Sequence, residues 1–150
     1  MLRPAASVDL DFVQDLLNRP ENLDRLAAYD SDALHSALTD PAWRLVIWDE
    51  GGEDAGFALL SQVVSGGKAK LEELAIDRPG GGHGSKLMNA LFDDLRELGV
   101  SGLWLYVVPE NYRAISFYRR CGFHPVDGPT KLWRRRSGPP VEPIRMERTL

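Results

Sequence analysis

The sequence predicts one α/β domain built on a mixed sheet, and three observations carry that expectation. A strand pattern at 70–76 is joined through a helical pattern to a near-continuous apolar strand at 103–108; such a link makes a parallel, buried pair. Two further strand patterns, 43–48 and 56–64, flank an acidic, Gly-containing turn at 49–54 and read as an antiparallel hairpin. The chain of 150 residues suits a single core, and no linker divides it, so the domain is expected to span 1–150.

Taken in order, residues 1–4 are a short edge strand. Ser7 is a plausible N-cap for a helix over 8–17, with Leu10, Val13, Leu16 and Leu17 on one side and Asn18-Arg19-Pro20 as its stop. Residues 22–39 read as one or two helical pieces burying Leu23, Leu26, Ala27, Leu34 and Leu38. Ser65-Gly66-Gly67 turns the chain into the 70–76 strand. The next helix puts Leu87, Leu91, Leu95 and Leu98 on one face and stops at Gly99. Asn111 is a good N-cap for a helix ending at Cys121-Gly122. Residues 123–150 should give two or three strands, with turns at 127–129 and 137–140.

Composition excludes several classes. With 43% hydrophobic and 27% charged residues, disorder is not expected. No apolar run approaches the ~18 residues of a membrane span. The N-terminus lacks the apolar core of a secretory signal, which favours a cytoplasmic location. The single cysteine, Cys121, and three scattered histidines offer no metal-ligand spacing, so no metal is expected. Residues 1–67 hold twelve acids against four bases, and 68–150 fourteen bases against ten acids. A cation should prefer the first half and a polyanion the second. Lys131 and Arg134-Arg135-Arg136 are too few to argue a nucleic-acid surface.

The most informative stretch is KLEELAIDRPGGGHGS, Lys70 to Ser85. It reads as strand, glycine loop and helix start, so unpaired N–H groups and the positive end of a helix dipole meet where Gly80, Gly81, Gly82 and Gly84 allow close approach. That is an anion site, most often for phosphate. No acid stands in the first turn of the helix, which leaves the place to a bound anion. A nucleotide-binding Walker loop is excluded because Ser85 precedes Lys86; a dinucleotide fingerprint fails because Leu87 stands where a third small residue belongs. The bland alternative is a flexible turn without a ligand.

Residues 71–123, through LEELAI, GGGHGSKLMNAL, LWLYVVPEN and AISFYRRCGF, resemble the GNAT superfamily of acetyl-CoA-dependent N-acetyltransferases. The resemblance implies that the 70–76 and 103–108 strands splay apart at their C-terminal ends. Acetyl-CoA would lie between them, its pantetheine arm pairing with the backbone of Leu74, Ala75 and Ile76. Its pyrophosphate would sit on the loop formed by Gly80, Gly81, Gly82, His83, Gly84 and Ser85. Asn111 would contact the cofactor arm as well as cap its helix, and the Ile76 N–H would stabilise the oxyanion.

The resemblance also makes Tyr118 the acid that protonates the departing CoA thiolate. Cys121, one turn away, reads as core packing. Pro79 departs from the family pattern, standing where a Gln or Arg is usual, so Arg78 or Lys86 would have to assist the glycine N–H groups. Tyr106 stands where some relatives carry a glutamate, and Lys70 aligns with another common position for the base. Glu72 and Glu73 remain, on opposite faces of a regular strand, and Glu73, acting through a water, is the expected base. The acceptor implied is a primary amine of a small molecule or of a peptide or protein N-terminus, with Asp24, Asp30 and Asp32 as an attractor for a cationic amine. Homodimers are common in the family, though no sequence feature here fixes the assembly. The alternative function is a non-catalytic acyl-CoA-binding sensor or regulatory module.

Overall fold

The computed structural model describes residues 1–150. Its strands are β1 (Leu2–Pro4), β2 (Arg44–Glu50), β3 (Glu53–Ser61), β4 (Lys68–Ile76), β5 (Gly102–Val107), β6 (His124–Pro125) and β7 (Ile144–Thr149). Helices α1 (Leu10–Leu17) and α2 (Ser31–Thr39) lie between β1 and β2. Helix α3 (His83–Glu97) joins β4 to β5, and α4 (Tyr112–Arg120) follows β5. The seven strands form one sheet in the order β1-β2-β3-β4-β5-β7-β6. Every neighbouring pair is antiparallel except β4 and β5, which run parallel as the strand–helix–strand pattern requires.

Three boundaries differ from expectation. The hairpin turn is two residues, Gly51 and Gly52, because pairing continues to Glu50 opposite Glu53. Segment 22–39 contains one α-helix, which begins late: the Asp30 carboxylate accepts the Ala33 N–H at 2.7 Å and starts α2 there, leaving 23–30 irregular. Between β6 and β7 the chain makes an excursion over 126–143, whose one strand-like pairing is an isolated bridge between Trp133 and Val141.

The sheet separates two cores. Val46, Ala58, Leu60, Ala69 and Leu71 pack with Leu87, Met88, Leu91, Phe92 and Leu95 of α3 on one face. Leu45, Ile47, Phe57, Leu59 and Ala75 pack with Val13, Leu16, Leu17 and Leu34 on the face of α1 and α2. Strand β4 changes sides part-way. Leu59 pairs with Glu73 and Leu60 with Leu71, so Glu72 is an extra residue in β4, a β-bulge. Before it Leu71 faces α3; after it Glu73 and Ala75 face α1 and α2, while Leu74 and Ile76 turn to the α3 core. Beyond Leu71, paired with Leu105, β4 and β5 no longer pair. The parallel strands splay there.

Helix α3 starts in the open end of this splay. Its N-cap, Gly82, has φ 80°, a left-handed conformation that side chains resist. No side chain caps the helix and no acid occupies its first turn. Gly84 serves packing instead: a Cβ there would lie 3.2 Å from the Phe117 ring and 3.8 Å from Ile76. A Gly84→Val substitution should therefore push α3 from α4 and cost about 1–3 kcal/mol, measured by urea denaturation. Unchanged stability would show that the α3–α4 contact at Gly84 is slack.

Candidate active site

A cavity of about 800 Å³ occupies the splay and reaches both faces of the sheet. One half lies beneath the glycine loop and α4, lined by Gly80, Gly82, Gly84, Ser85, Phe117 and Tyr118. The other opens beside the α1–α2 connection and the 126–143 excursion, with Leu26, Ala27, Tyr29, Lys131, Leu132 and Trp133. Residues 70–76 form the floor common to both. The cavity exists because β4 and β5 have stopped sharing hydrogen bonds while each stays anchored to its outer neighbour.

In the first half, strand geometry fixes which backbone groups are free. Asp77 donates its N–H to the Ala55 carbonyl at 2.8 Å, toward β3. Successive N–H groups of a strand point to opposite edges, so those of Ile76 and Leu74 point into the splay. Leu74, Ala75 and Ile76 all line the cavity, as do Gly80, Gly82, Gly84 and Ser85. Gly81 and His83 lie outside the lining; the His83 Nδ1 is 3.3 Å from Glu50 instead. Lys86 is likewise bound to Glu50, at 2.9 Å, and Arg78 is not part of the cavity wall. The cation that does approach the loop is Arg113, which lines the cavity and sits about 4.0 Å from where a Gly80 Cβ would be. Sequence reasoning missed it, because nothing in its spacing distinguishes it from other exposed helix arginines.

Tyr118 lines the cavity from α4, its ring set against Phe117 at 5.4 Å and edge-on to Phe123 at 5.6 Å. Burial raises its phenol above the ordinary range, and the nearby charges of Glu73 and Cys121 add to this. It therefore keeps its proton at neutral pH. Cys121 is also held up by burial, with Arg120 and Arg148 opposing, so its thiol is a poor nucleophile. The Asn111 Oδ1 caps α4 by accepting the Ala114 N–H at 3.3 Å, and Asn111 lines the cavity as well.

The bulge corrects the expectation for the two glutamates. Glu72 accepts from the Ser61 hydroxyl at 2.7 Å and pairs with Lys70 at 3.1 Å. Lys70 and Ser61 pair across the strands and lie opposite Leu71 and Leu60, on the α1–α2 face. Both carboxyl groups thus end on one side of the sheet. Glu73 is only 7% exposed, and its Oε1 accepts from the Ala27 N–H at 3.0 Å and the Tyr29 hydroxyl at 3.2 Å. Burial pushes its carboxyl up to about 8, against those two donors; the Glu72 charge raises it further and Arg136 lowers it. Tyr29 is raised in turn, by burial first and then by the two glutamates. Neither Tyr29 nor the Ala27 N–H was legible as a partner while 22–39 read as helix.

The acidic cluster does not reach this site. Asp24 pairs with Arg25, Asp30 caps α2, and Asp32 lies in its first turn; none lines the cavity. The charged side chains that line the second half are Arg25, Lys70, Lys131, Glu72 and Glu73. The excursion carrying Lys131 is tied down at two points. Arg135 pairs with Glu110 and donates to the Pro139 carbonyl at 2.8 Å, while Arg136 donates to Asn18 at 2.8 Å and to the Leu26 carbonyl at 3.2 Å.

The splayed parallel pair, the glycine-started helix and the tyrosine of α4 define an acyltransferase architecture of the kind the sequence resembled. A family model for the acetyltransferase (GNAT) family matches residues 10–123. The chain belongs to that family. Among curated proteins it is similar to the mycothiol acetyltransferase of Clavibacter sepedonicus, 39% identical over 94 residues, covering 61% of this chain and 30% of that protein. A mycothiol acetyltransferase of Propionibacterium freudenreichii is 36% identical over 88 residues, covering 56% and 28%. The chain thus spans less than a third of the length of these relatives. Among solved structures, a Vibrio cholerae spermidine N-acetyltransferase in complex with CoA and spermine superposes with a TM-score of 0.84 at 23% identity, covering 99% of this chain and 94% of that one. A ribosomal-protein-alanine N-acetyltransferase from Brucella melitensis gives 0.81 at 18%, covering 100% and 99%. At those identities the likeness is one of fold.

The state of Glu73 makes stability depend on pH. Its carboxyl titrates near the ordinary 4.5 when exposed and at about 8 in the fold, so over that window the folded chain holds a proton that the unfolded chain has released. Stability then falls as pH rises through the window. Glu73→Gln should raise Tm by about 3 °C or more at about pH 8.5 and much less at about pH 5. Equal shifts at both pH values in calorimetry would contradict a raised Glu73.

Proposed function

We propose that the chain transfers an acetyl group from acetyl-CoA directly to a primary amine, of a small molecule or of a peptide or protein N-terminus. The observation that carries this is the placement of Tyr118 and Glu73 in the lining of one cavity, one under α4 and the other on the α1–α2 side. The cavity suits an acyl-CoA. Free N–H groups at Leu74 and Ile76 offer partners for an amide-bearing arm, and Gly80, Gly82 and the uncapped start of α3, with Arg113 nearby, offer an anion cradle. Acetyl-CoA supplies an activated thioester.

The amine nitrogen bonds to the thioester carbonyl carbon, the carbon–sulfur bond breaks, and the amide product loses one proton while CoA gains one. Glu73 receives the amine proton, directly or through a water. A carboxyl near 8 matches an α-amine at ~7.7–8.0 far better than a lysine amine at ~10.4, so proton transfer between them is close to balanced. Tyr118, protonated at neutral pH, gives its proton to the leaving sulfur and regains one from solvent, to which Glu73 releases the proton it took from the amine. The Ile76 N–H, which points into the splay, would donate to the developing oxyanion, with the Leu74 N–H left for the cofactor arm. A non-catalytic acyl-CoA sensor would have no use for a buried, proton-holding carboxyl in the second half of the cavity.

Two outcomes test the reading. Tyr118→Phe should lower kcat by about 100-fold while the KM for acetyl-CoA stays within about threefold; an unchanged kcat would remove Tyr118 from the chemistry. In the wild type, kcat/KM per neutral amine should rise about tenfold per pH unit below a bend near 8, and Glu73→Gln should flatten that limb. A bend that survives Glu73→Gln would assign the base elsewhere.

A further inference from the structure

We infer that the acceptor amine also carries an anionic group, a carboxylate or a phosphate, received at the mouth of the second half of the cavity beside Lys131. This deepens the acetyltransferase reading and rests on it. Most charges around the second half of the cavity are paired internally. Arg25 is matched by Asp24 at 3.3 Å, and Lys70 by Glu72 at 3.1 Å. Glu73 is buried among the Ala27 N–H and the Tyr29 hydroxyl and holds its proton through most of the neutral range. Lys131, exposed and in the lining, has no carboxylate partner. Glu142, close by in the same excursion, accepts from the Thr130 hydroxyl at 2.6 Å and lies outside the lining.

A second cation stands behind the first. Arg136 points back to the α1–α2 connection, where its guanidinium meets only neutral oxygens: the Leu17 and Leu26 carbonyls and the Asn18 amide. Its charge acts on Glu73 and is matched by no acid there. The second half of the cavity therefore carries a surplus of positive charge, although residues 1–67, which supply one of its walls, are strongly acidic as a stretch. No acid of that stretch lines the cavity, and Asp15, Asp24 and Asp30 are engaged in local pairs or a helix cap.

A polyamine entering here would bring further ammonium groups toward Lys131 and Arg136 and be repelled. An amine bearing an anion would be drawn in, with its anion at Lys131 and its nitrogen toward Glu73. The same field lowers the pKa of an arriving ammonium and raises the fraction of free amine able to attack. Between the two poles lie Leu26, Trp133 and Leu132; the last is 65% exposed at the lip, and suits an acceptor with an apolar or ring-shaped body.

The test uses matched acceptors with the full chain: glucosamine against glucosamine 6-phosphate, leucinol against leucine, and spermidine as a polycation. CoA release is followed, and kcat/KM is expressed per neutral amine. In at least one pair the anionic member should be preferred by about tenfold or more, and the pair that shows it identifies carboxylate or phosphate. The preference should shrink in about 0.5 M salt. Lys131→Glu should cut the anionic-to-uncharged ratio by about tenfold, and Lys131→Arg should keep it. If uncharged members or spermidine match or exceed the anionic ones, or if Lys131→Glu leaves the ratio unmoved, the inference is overturned while the transferase reading stands. If no acceptor releases CoA although acetyl-CoA binds, the transferase reading itself falls, and the inference with it.

Discussion

One extra residue in β4, Glu72, opposite the Leu59–Leu60 step of β3, sets the direction of every later side chain in that strand. A regular strand continuing the phase of Leu71 would have sent Glu73 into the α3 core and Leu74 to the other face. The bulge reverses this. Leu74 and Ile76 then seal the α3 side, and Glu73 meets Ala27 and Tyr29 on the α1–α2 side. The bulge falls where pairing with β5 ends at Leu71 and Leu105, so the change of side and the opening of the cleft occur together. Bulges increase local twist, which fits a strand that leaves its parallel neighbour while holding its antiparallel one.

The rest of the structure keeps that opening from closing or filling. Arg19 at the end of α1 pairs with Asp77 just past β4, which fixes the far end of the strand. Gly84 lets Phe117 approach α3 closely, so α4 can bring Tyr118 to the cleft. Arg135 and Arg136, adjacent in sequence, pull the 126–143 excursion in two directions, toward Glu110 and toward the α1–α2 connection. Arg135 and Arg136 thus work as anchors in the chain's own fold.

Much of this was legible in the residues, for identifiable reasons. Periodicity and turn chemistry placed α1, α3, α4 and the β2–β3 hairpin, because each has a clean face and a clear stop. The glycines also mark where α3 begins, at a left-handed N-cap that the sequence KLEELAIDRPGGGHGS places correctly. What stayed hidden depends on contacts between distant segments. No Gly or Pro marks the bulge at Glu72, so strict alternation put Glu72 and Glu73 on opposite faces. Residues 23–30 carry enough leucine and alanine to look helical, which concealed Tyr29 and the Ala27 N–H. Charge counted along the sequence made the acidic first half attractive to cations. In space none of those acids lines the cleft, whereas Lys70, Arg113, Arg120 and Lys131 of later segments do.

On the proposed reading, the unpaired edge of β4 beyond the bulge receives an acyl-CoA. The most direct measurement is an amide-resolved NMR titration of the chain with CoA. The account predicts that the Leu74 and Ile76 amides shift and gain exchange protection together with those of Gly82, Gly84 and Ser85, while Ala75, whose N–H faces β3, changes little. Saturable shifts confined to other surfaces, with Leu74 and Ile76 untouched, would contradict it.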